Sequence, residues 1–316
     1  MRKTRFISWV AGLTLVIVVL SVIYLMLGDK NYPLSALTTN PIVLQLRLPR
    51  LMSLFLAGFL LSVSGFLVQL MTRNPIAEMS TLGISGGASV GLAVLLAFGF
   101  STDAAISASL ASIMAFVSLF IVMILTARTH FQPLKVALVG TSVGLFATSL
   151  ASAITFAKHD SQAYFLWIVG SFSGVTTEKV KLLAVTVVLF LLILFFYGSR
   201  LRMLALGDDL AKSLGVSVNQ VRFVVMVMVA IASGVTVSSV GVISFVGLIA
   251  PHIAKKLTKS NFWQTVVLSV LTAIILLVFS DLLARNLFKP YEFPAGSLTM
   301  LIGAPFFIWV ISQEAK

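Results

Sequence analysis

The sequence predicts an all-α integral membrane protein of about ten transmembrane helices, forming one domain over residues 1–316. Apolar residues make up 59% of the chain and charged residues 10%, against roughly half and a quarter in soluble domains. Charge-poor runs long enough to cross about 30 Å of hydrocarbon recur along the whole length. With the N-terminus inside and ten spans, inner segments hold fourteen of the 22 Lys and Arg residues and outer segments eight. That asymmetry sets topology and places both termini in the cytoplasm. It also accounts for a net charge of +12 without a nucleic-acid partner.

The spans fall near residues 6–27, 51–71, 82–100, 104–126, 134–157, 180–198, 222–241, 243–257, 263–285 and 295–312. The first follows Arg2, Lys3 and Arg5. It exceeds the apolar core of a signal peptide and no small-x-small cleavage site follows, so it reads as a span. The outer segment 28–48 ends in LRLPR, where Pro49 suits a first helical turn and Arg47 and Arg50 stand at the outer mouth. RNPIAEMSTLGISGGASVGL joins the second and third spans: Asn74-Pro75 makes a turn, then Gly83, Gly86, Gly87 and Gly91 remove side chains. Close helix approach is the ordinary reason for such density; a bare backbone lining a path is the alternative. A second interrupted stretch, VGVISFVGLIAPHIAKKL, is broken or bent by Gly241, Gly247 and Pro251. Irregular backbone at membrane depth survives only against protein or a water-filled cavity. One such stretch in each half fits a transporter of two related halves with its route between them. The last span follows a charged outer hinge and is kinked at Pro305.

The polar island Ser199 to Arg222 carries the run LGDDLAKSLG. Gly207 breaks the chain, Asp208 and Asp209 are placed to cap a short helix, and Gly215 is the expected left-handed stop. Leu210, Ala211 and Leu214 fall on one face, with Asp209, Lys212 and Ser213 opposite. So short a helix is not stable alone and needs a partner.

Catalytic chemistry has little to work with. No GxxxxGK[ST] nucleotide motif occurs. His130, His159 and His252 are scattered and form no metal site; His252 reads as capping or interfacial. No carboxylate pair is spaced for acid/base work. Asp281, four residues before Arg285, reads as an i,i+4 ion pair, and Glu178 sits at an outer loop edge beside Lys179 and Lys181. The absence of cysteine excludes disulfides, thiolate metal sites and cysteine nucleophiles. No catalytic residue, metal or cofactor is therefore expected on this chain. Ion-coupled transport would require ionisable groups at mid-membrane, and few are visible. Transport driven by a separate ATPase is the reading that remains; an ion-coupled secondary transporter and a membrane-embedded enzyme are its rivals.

LRLPRLMSLFLAGFLLSVSGFLVQLMTRNPIAEMSTLGISGGASVG (46–91), LGDDLAKSLGVSVNQVR (206–222), GVISFVGLIAPHIAKKL (241–257) and DLLARNLFKPYEFPAGSLTMLIGAPFFIWV (281–310) resemble the FecCD/BtuC family, the ten-span permeases of bacterial type II ABC importers for iron–siderophores, haem and cobalamin. The resemblance implies a second permease subunit, identical or paralogous, two cytoplasmic ATPase subunits that hold ATP and Mg, an extracytoplasmic substrate-binding protein, and residence in the bacterial cytoplasmic membrane. It implies that Leu206, Gly207, Asp208, Asp209, Leu210, Ala211, Lys212, Ser213, Leu214 and Gly215 couple to the ATPase. It implies that Arg47, Arg50 and Arg285 face outward to glutamates of the binding protein; snorkelling to headgroups is their alternative. The pathway would lie near Leu138–Ala153 and Ser297–Ile308, with Gly83, Gly86, Gly87, Gly247, Pro251 and Pro305 as helix-break candidates. Lys255 stands where the family usually has arginine after PHIA, which keeps the charge and not the fork. Iron–siderophore is the expected cargo, with haem and cobalamin as alternatives.

Overall fold

Each expected span forms a helix, and an eleventh, short helix lies in the island. The computed structural model describes residues 3–28, 30–99, 103–127, 132–159, 165, 168–258, 261–287, 289 and 291–314. Among these, the helices are α1 (Lys3–Met26), α2 (Leu48–Thr72), α3 (Ile84–Ala97), α4 (Ala104–Ala127), α5 (Pro133–Ala157), α6 (Thr177–Leu204), α7 (Asp208–Ser213), α8 (Val218–Val240), α9 (Val246–Thr258), α10 (Phe262–Leu287) and α11 (Ala295–Glu314). Seven are long and apolar enough to cross a membrane. His130 lies outside the described residues.

Burial sorts the bundle. In both α2 and α8, 78% of the most apolar window is buried, against 6% in α1. The first two are therefore the axis and α1 a peripheral strut. α2 packs on α6, α8, α9 and α10; α8 packs also on α3 and α4. α1 leans on α10, α5 on α3 and α4, and α11 on α10. Without a hydrophobic drive between helices in lipid, close approach through small residues supplies the packing. A Cβ on Gly65 of α2 would collide with the Gly247 carbonyl of α9, and one on Gly234 of α8 with the Ser112 backbone of α4. Hydroxyls that such packing buries mostly bond back to their own helix, as Thr72 does to Val68 (2.8 Å) and Thr236 to Ala232 (2.7 Å).

Several boundaries differ from expectation. α2 is preceded by a π-helical turn, Val43–Arg47, so the helical segment starts about a turn and a half before Arg50, and Pro49 takes an early position in α2 proper. α6 runs on to Leu204, which absorbs the first residues of the island. α3 and α9 have 14 and 13 residues, about 20 Å of helix, too short for the hydrocarbon alone. Non-helical segments 73–83 and 241–245 make up the difference. Gly247 and Pro251 lie inside α9 and Pro305 inside α11, and both helices run through their prolines. These three residues are not the breaks. The breaks are the segment before Gly83 and the segment from Gly241, a helix C-cap at φ 77°, to Phe245.

Replacing Gly65 with valine should lower the thermal midpoint of the purified protein by the equivalent of about 1–3 kcal/mol or prevent folding. Gly12→Val, where a Cβ meets nothing within 4 Å, should leave the midpoint within about 1 °C of wild type, an effect below ~0.5 kcal/mol.

Candidate functional site: two charged ends and a junction of broken helices

At one end of the bundle, the turn after α6 delivers the chain to α7 through Gly207 (φ 113°), a conformation that favours glycine. Gly207 is the N-cap, and neither aspartate caps with its side chain, contrary to the sequence expectation. The reason is that the Asp208 carboxylate has stronger partners. Arg73, at the end of α2, lies 2.8 Å from Oδ1, and Arg222, in the first turns of α8, donates to Oδ2 at 2.8 Å. The helix ends as expected. Gly215 (φ 79°) donates to Lys212 at 2.9 Å and Val216 donates to Ala211 at 2.9 Å, the double bond of a Schellman stop.

The faces also differ from the expected pattern. Of the three apolar residues, Ala211 is buried, while Leu210 and Leu214 are more than half exposed, as is Leu206. Side chains at four-residue spacing share a face, so Leu210 and Leu214 form a bare ladder, with Leu206 exposed just ahead of the helix. α7 is thus anchored from inside the chain by one carboxylate and two arginines, and its apolar stripe faces out. Asp209, Lys212 and Ser213 are exposed as well.

The two breaks meet. Asn74 Oδ1 accepts the Ile76 N–H at 3.0 Å, and the loop then carries Glu78 into the protein, where it is 5% exposed. Its carboxylate accepts the backbone N–H of Phe245 at 2.9 Å and the hydroxyl of Ser80. Its own N–H goes to the Thr81 hydroxyl at 2.9 Å. Phe245 has φ 68°, strained for a side chain of that bulk, and a Cβ on Gly303 of α11 would fall on its side chain. On the other side, Gly83 and Gly86 close on Gly144 of α5, and Gly87 closes on α4. These three glycines are buried against neighbouring helices, so close packing, not a bare path, accounts for them. Glu78 was invisible in the sequence because a lone carboxylate in a loop reads as solvated; its neighbour Pro75 marked the turn but not its direction.

At the opposite end, the arginines point inward rather than to the surface. Arg47, 6% exposed, donates to the carbonyls of Leu25 (2.7 Å) and Lys30 (2.6 Å) and lies over the Tyr32 ring. Arg50 forms a fork on Asp281, with Nη2 to Oδ1 at 2.8 Å and Nε to Oδ2 at 2.9 Å, and reaches Glu292 at 3.0 Å. Tyr24 donates to the same Asp281 oxygen at 2.6 Å. Asp281 therefore pairs across helices with α2 and α1 and not with Arg285 one turn away. Arg285 instead stacks on the Tyr24 ring, 4.8 Å from its centroid, and its Nη1 is buried without a hydrogen-bond partner. The interhelical route was unreadable because it joins residues 231 positions apart. With Lys30, Phe172, Gly174 and Glu292, the three arginines line a cavity of about 420 Å³. Burial works against ionisation of Glu292, but Arg50 with Ser173 and Arg285 holds its carboxyl below the usual carboxylate range.

A bundle of membrane-crossing helices with a helix presented at one end, a buried junction of broken helices and a cationic cavity at the other defines a polytopic permease. The chain belongs to the FecCD transport family, whose model matches residues 13–313. It is 37% identical, over 88% of its length and 73% of the relative's, to the iron(3+)-hydroxamate import system permease protein of Bacillus subtilis. It is 33% identical to the Fe(3+) dicitrate transport system permease protein of Escherichia coli, over 96% of this chain and 98% of that one. With the vitamin B12 import system permease protein of Vibrio vulnificus it shares 32% over 99% and 96%. A metal-chelate type ABC transporter solved in an inward-facing conformation superposes with a TM-score of 0.83 at 28% identity, covering 97% of this chain and 99% of that chain. The fold is accordingly that of an ABC-importer permease, and the family supplies the membrane subunit rather than the ATPase.

Asp281→Ala should destabilise the folded protein by about 3–5 kcal/mol, since it strands a buried arginine. Glu292→Gln, which removes a half-exposed pair, should cost under about 1 kcal/mol. Because the Glu292 carboxyl is held low in the folded state, that small contribution is present above the ordinary carboxylate range near 4.3 and fades as pH falls through it. Thermal melts from pH 3 to 7 on wild type and both variants measure all three effects. Glu78→Gln keeps an acceptor for the Phe245 N–H and should fold and transport nearly as wild type. Glu78→Leu leaves that N–H without its partner, a loss of about 1–3 kcal/mol, visible as a lower midpoint and reduced uptake in proteoliposomes.

Proposed function

We propose that this chain is the permease subunit of an ATP-driven importer that carries a ferric chelate across the bacterial cytoplasmic membrane by alternating access. The observation that carries the proposal is α7: a helix anchored from within by Arg73, Asp208 and Arg222 whose leucine ladder is left bare. An anchored element with an unpartnered apolar face is suited to receive force from a second protein, here a cytoplasmic ATPase that binds ATP and Mg. Leu206 to Gly215 is the coupling segment in this reading, and both termini lie on its side of the membrane. Iron-chelate relatives at 33–37% identity favour that cargo; the relative named for vitamin B12 keeps cobalamin as the second reading, and haem a third.

The pathway runs beside the junction of Glu78 and Phe245. α5 and α11 flank that junction and present exposed apolar residues, Leu138, Leu145 and Phe146 on one and Leu301 and Ile308 on the other. A second permease subunit, identical or paralogous, would enclose the route against these faces. At the far end, the cavity lined by Arg47, Arg50 and Arg285 would accept an acidic side chain of an extracytoplasmic binding protein. Arg47 and Arg50 are committed to their own chain; Arg285 holds an unbonded Nη1, buried as it stands, that would have to turn into the cavity to meet such a side chain.

Leu210→Ser with Leu214→Ser should reduce co-purification of the ATPase about tenfold or more, as loss of a central apolar contact does, without lowering the permease's own melting temperature. Retention of the ATPase by this double variant would remove the coupling assignment. Arg285→Gln should weaken binding-protein association and flatten its salt dependence, beyond whatever melting temperature it loses with its contact to the Tyr24 ring. Uptake by proteoliposomes holding the full complex should follow ATP and be indifferent to an imposed ion gradient; ferric siderophore, haem and cobalamin offered in turn decide the cargo.

A further inference from the structure

A second cavity of about 420 Å³ lies at the α7 end, between the ends of α2, α6 and α9 and the start of α10. Its floor and walls are apolar, with Phe66, Leu70, Leu204 and Phe262 among them. Two cations face into it. Lys255, three residues from the end of α9, donates a hydrogen bond to Gln69 Oε1 at 2.7 Å and lies 5.5 Å from the Phe66 ring centroid. Arg73 stands beside Gly207 with one nitrogen on Asp208. Among the described residues, no carboxylate lines this cavity. A neutral amide and a ring face are weak compensation for an ammonium held among aromatic and aliphatic walls; such a charge needs an anion or it is costly to keep. Asp208 is already shared between two arginines and does not line the cavity.

We infer that this cavity binds a phosphate-bearing anion, with Lys255 and Arg73 as its charge partners, Gln69 Nε2, whose one contact to the Gly247 carbonyl is long at 3.5 Å, as a polar contact, and Phe66 and Phe262 against its apolar part. Guanidinium and ammonium together are the usual recognition set for a phosphate. The volume exceeds what a bare phosphate needs and suits a phosphodiester with several attached carbons. Two sources share this chemistry: the headgroup of an anionic phospholipid of the adjacent leaflet, and a free phosphate or small phosphate ester. Either would bridge α2 and α9 beside the arginine that anchors α7, so that occupancy bears on the setting of that helix.

The test uses the full-length chain and two variants. Lys255→Gln removes the charge and keeps a polar side chain, and Leu70→Trp fills the cavity without touching a charge. In delipidated detergent, melting temperature is followed against inorganic phosphate at constant ionic strength; in parallel, native mass spectrometry counts phosphatidylglycerol retained after exchange into phosphatidylcholine. A saturable phosphate shift in wild type, weakened about tenfold in Lys255→Gln by loss of a charge-assisted contact, supports the site with a free phosphate ester as the source. Retention of one phosphatidylglycerol by wild type, lost in both variants and without a phosphate shift, supports it with lipid as the source. Equal behaviour of wild type and both variants, or neither probe bound by wild type, overturns the inference.

Discussion

Backbone groups inside a bilayer have no water to turn to, and that constraint governs this fold more than any apolar contact does. Helices satisfy it locally wherever they are continuous. Among the described residues the chain leaves helix within the protein at 73–83 and 241–245, and again at 170–172, and there each group must find a partner from elsewhere. Phe245 finds the Glu78 carboxylate. The carbonyl of Val240 receives the Ser171 N–H at 2.8 Å, and the Gly83 carbonyl receives the Ser118 hydroxyl at 2.8 Å. The Gly170 carbonyl in turn takes the Gly296 N–H at 3.0 Å. The breaks are thus tolerated because they stand beside one another and beside segments that supply donors. A break in one half without the other would leave Glu78 a buried charge and Phe245 a buried orphan.

Scarce carboxylates shape both ends of the bundle. With 22 basic and 10 acidic residues, each buried carboxylate is shared. Asp281 serves Arg50 and Tyr24, tying α10 to α2 and α1. Asp208 serves Arg73 and Arg222, tying α7 to α2 and α8. In both cases one carboxylate collects donors from two neighbouring helices: a guanidinium and a phenol at Asp281, two guanidiniums at Asp208. Among the cations that no carboxylate holds, Arg285 at one end and Lys255 at the other line cavities, and it is there that the protein has charge to offer another molecule.

The sequence disclosed what depends on near neighbours. Span number, the glycine stop at Gly215 and the small-residue contacts of Gly83 to Gly87 follow from periodicity, backbone preference and side-chain size, all local quantities. The direction of long polar side chains does not. Arg47 and Arg50 were expected outward because the residues around them mark a membrane boundary, yet their guanidiniums turn in toward carbonyls and a carboxylate contributed by distant segments. Asp281 was assigned to Arg285 because helical spacing allows it, and lost to Arg50 because a fork across helices makes two charge-assisted bonds where an i,i+4 contact on one helix makes a weaker one. Likewise Asp208 could not cap α7 once two arginines converged on it. Leu210 and Leu214 were placed with Ala211 on one face of a helix that needs a partner; Ala211 alone of the three turns into this chain, and the two leucines stay exposed.

α2 joins these observations. It begins beside the Asp281 fork and ends at Arg73 on Asp208, and along its 25 residues it packs on α6, α8, α9 and α10. A helix of that length is about 37 Å long and, held over most of its surface, moves as a rod rather than bending. α7 is tied to the ends of α2 and α8 through one shared carboxylate, and α2 reaches the Asp281 cluster at its far end. Gly65 and Gly247 place the α9 backbone directly against that rod, and α9 begins one residue after Phe245, so the junction of the two breaks lies beside it. Packed interiors shift between discrete arrangements rather than deforming smoothly. In this molecule the non-helical segments around Glu78 and Phe245 are the pieces at that junction suited to a second arrangement, because they are not committed to a continuous hydrogen-bond ladder.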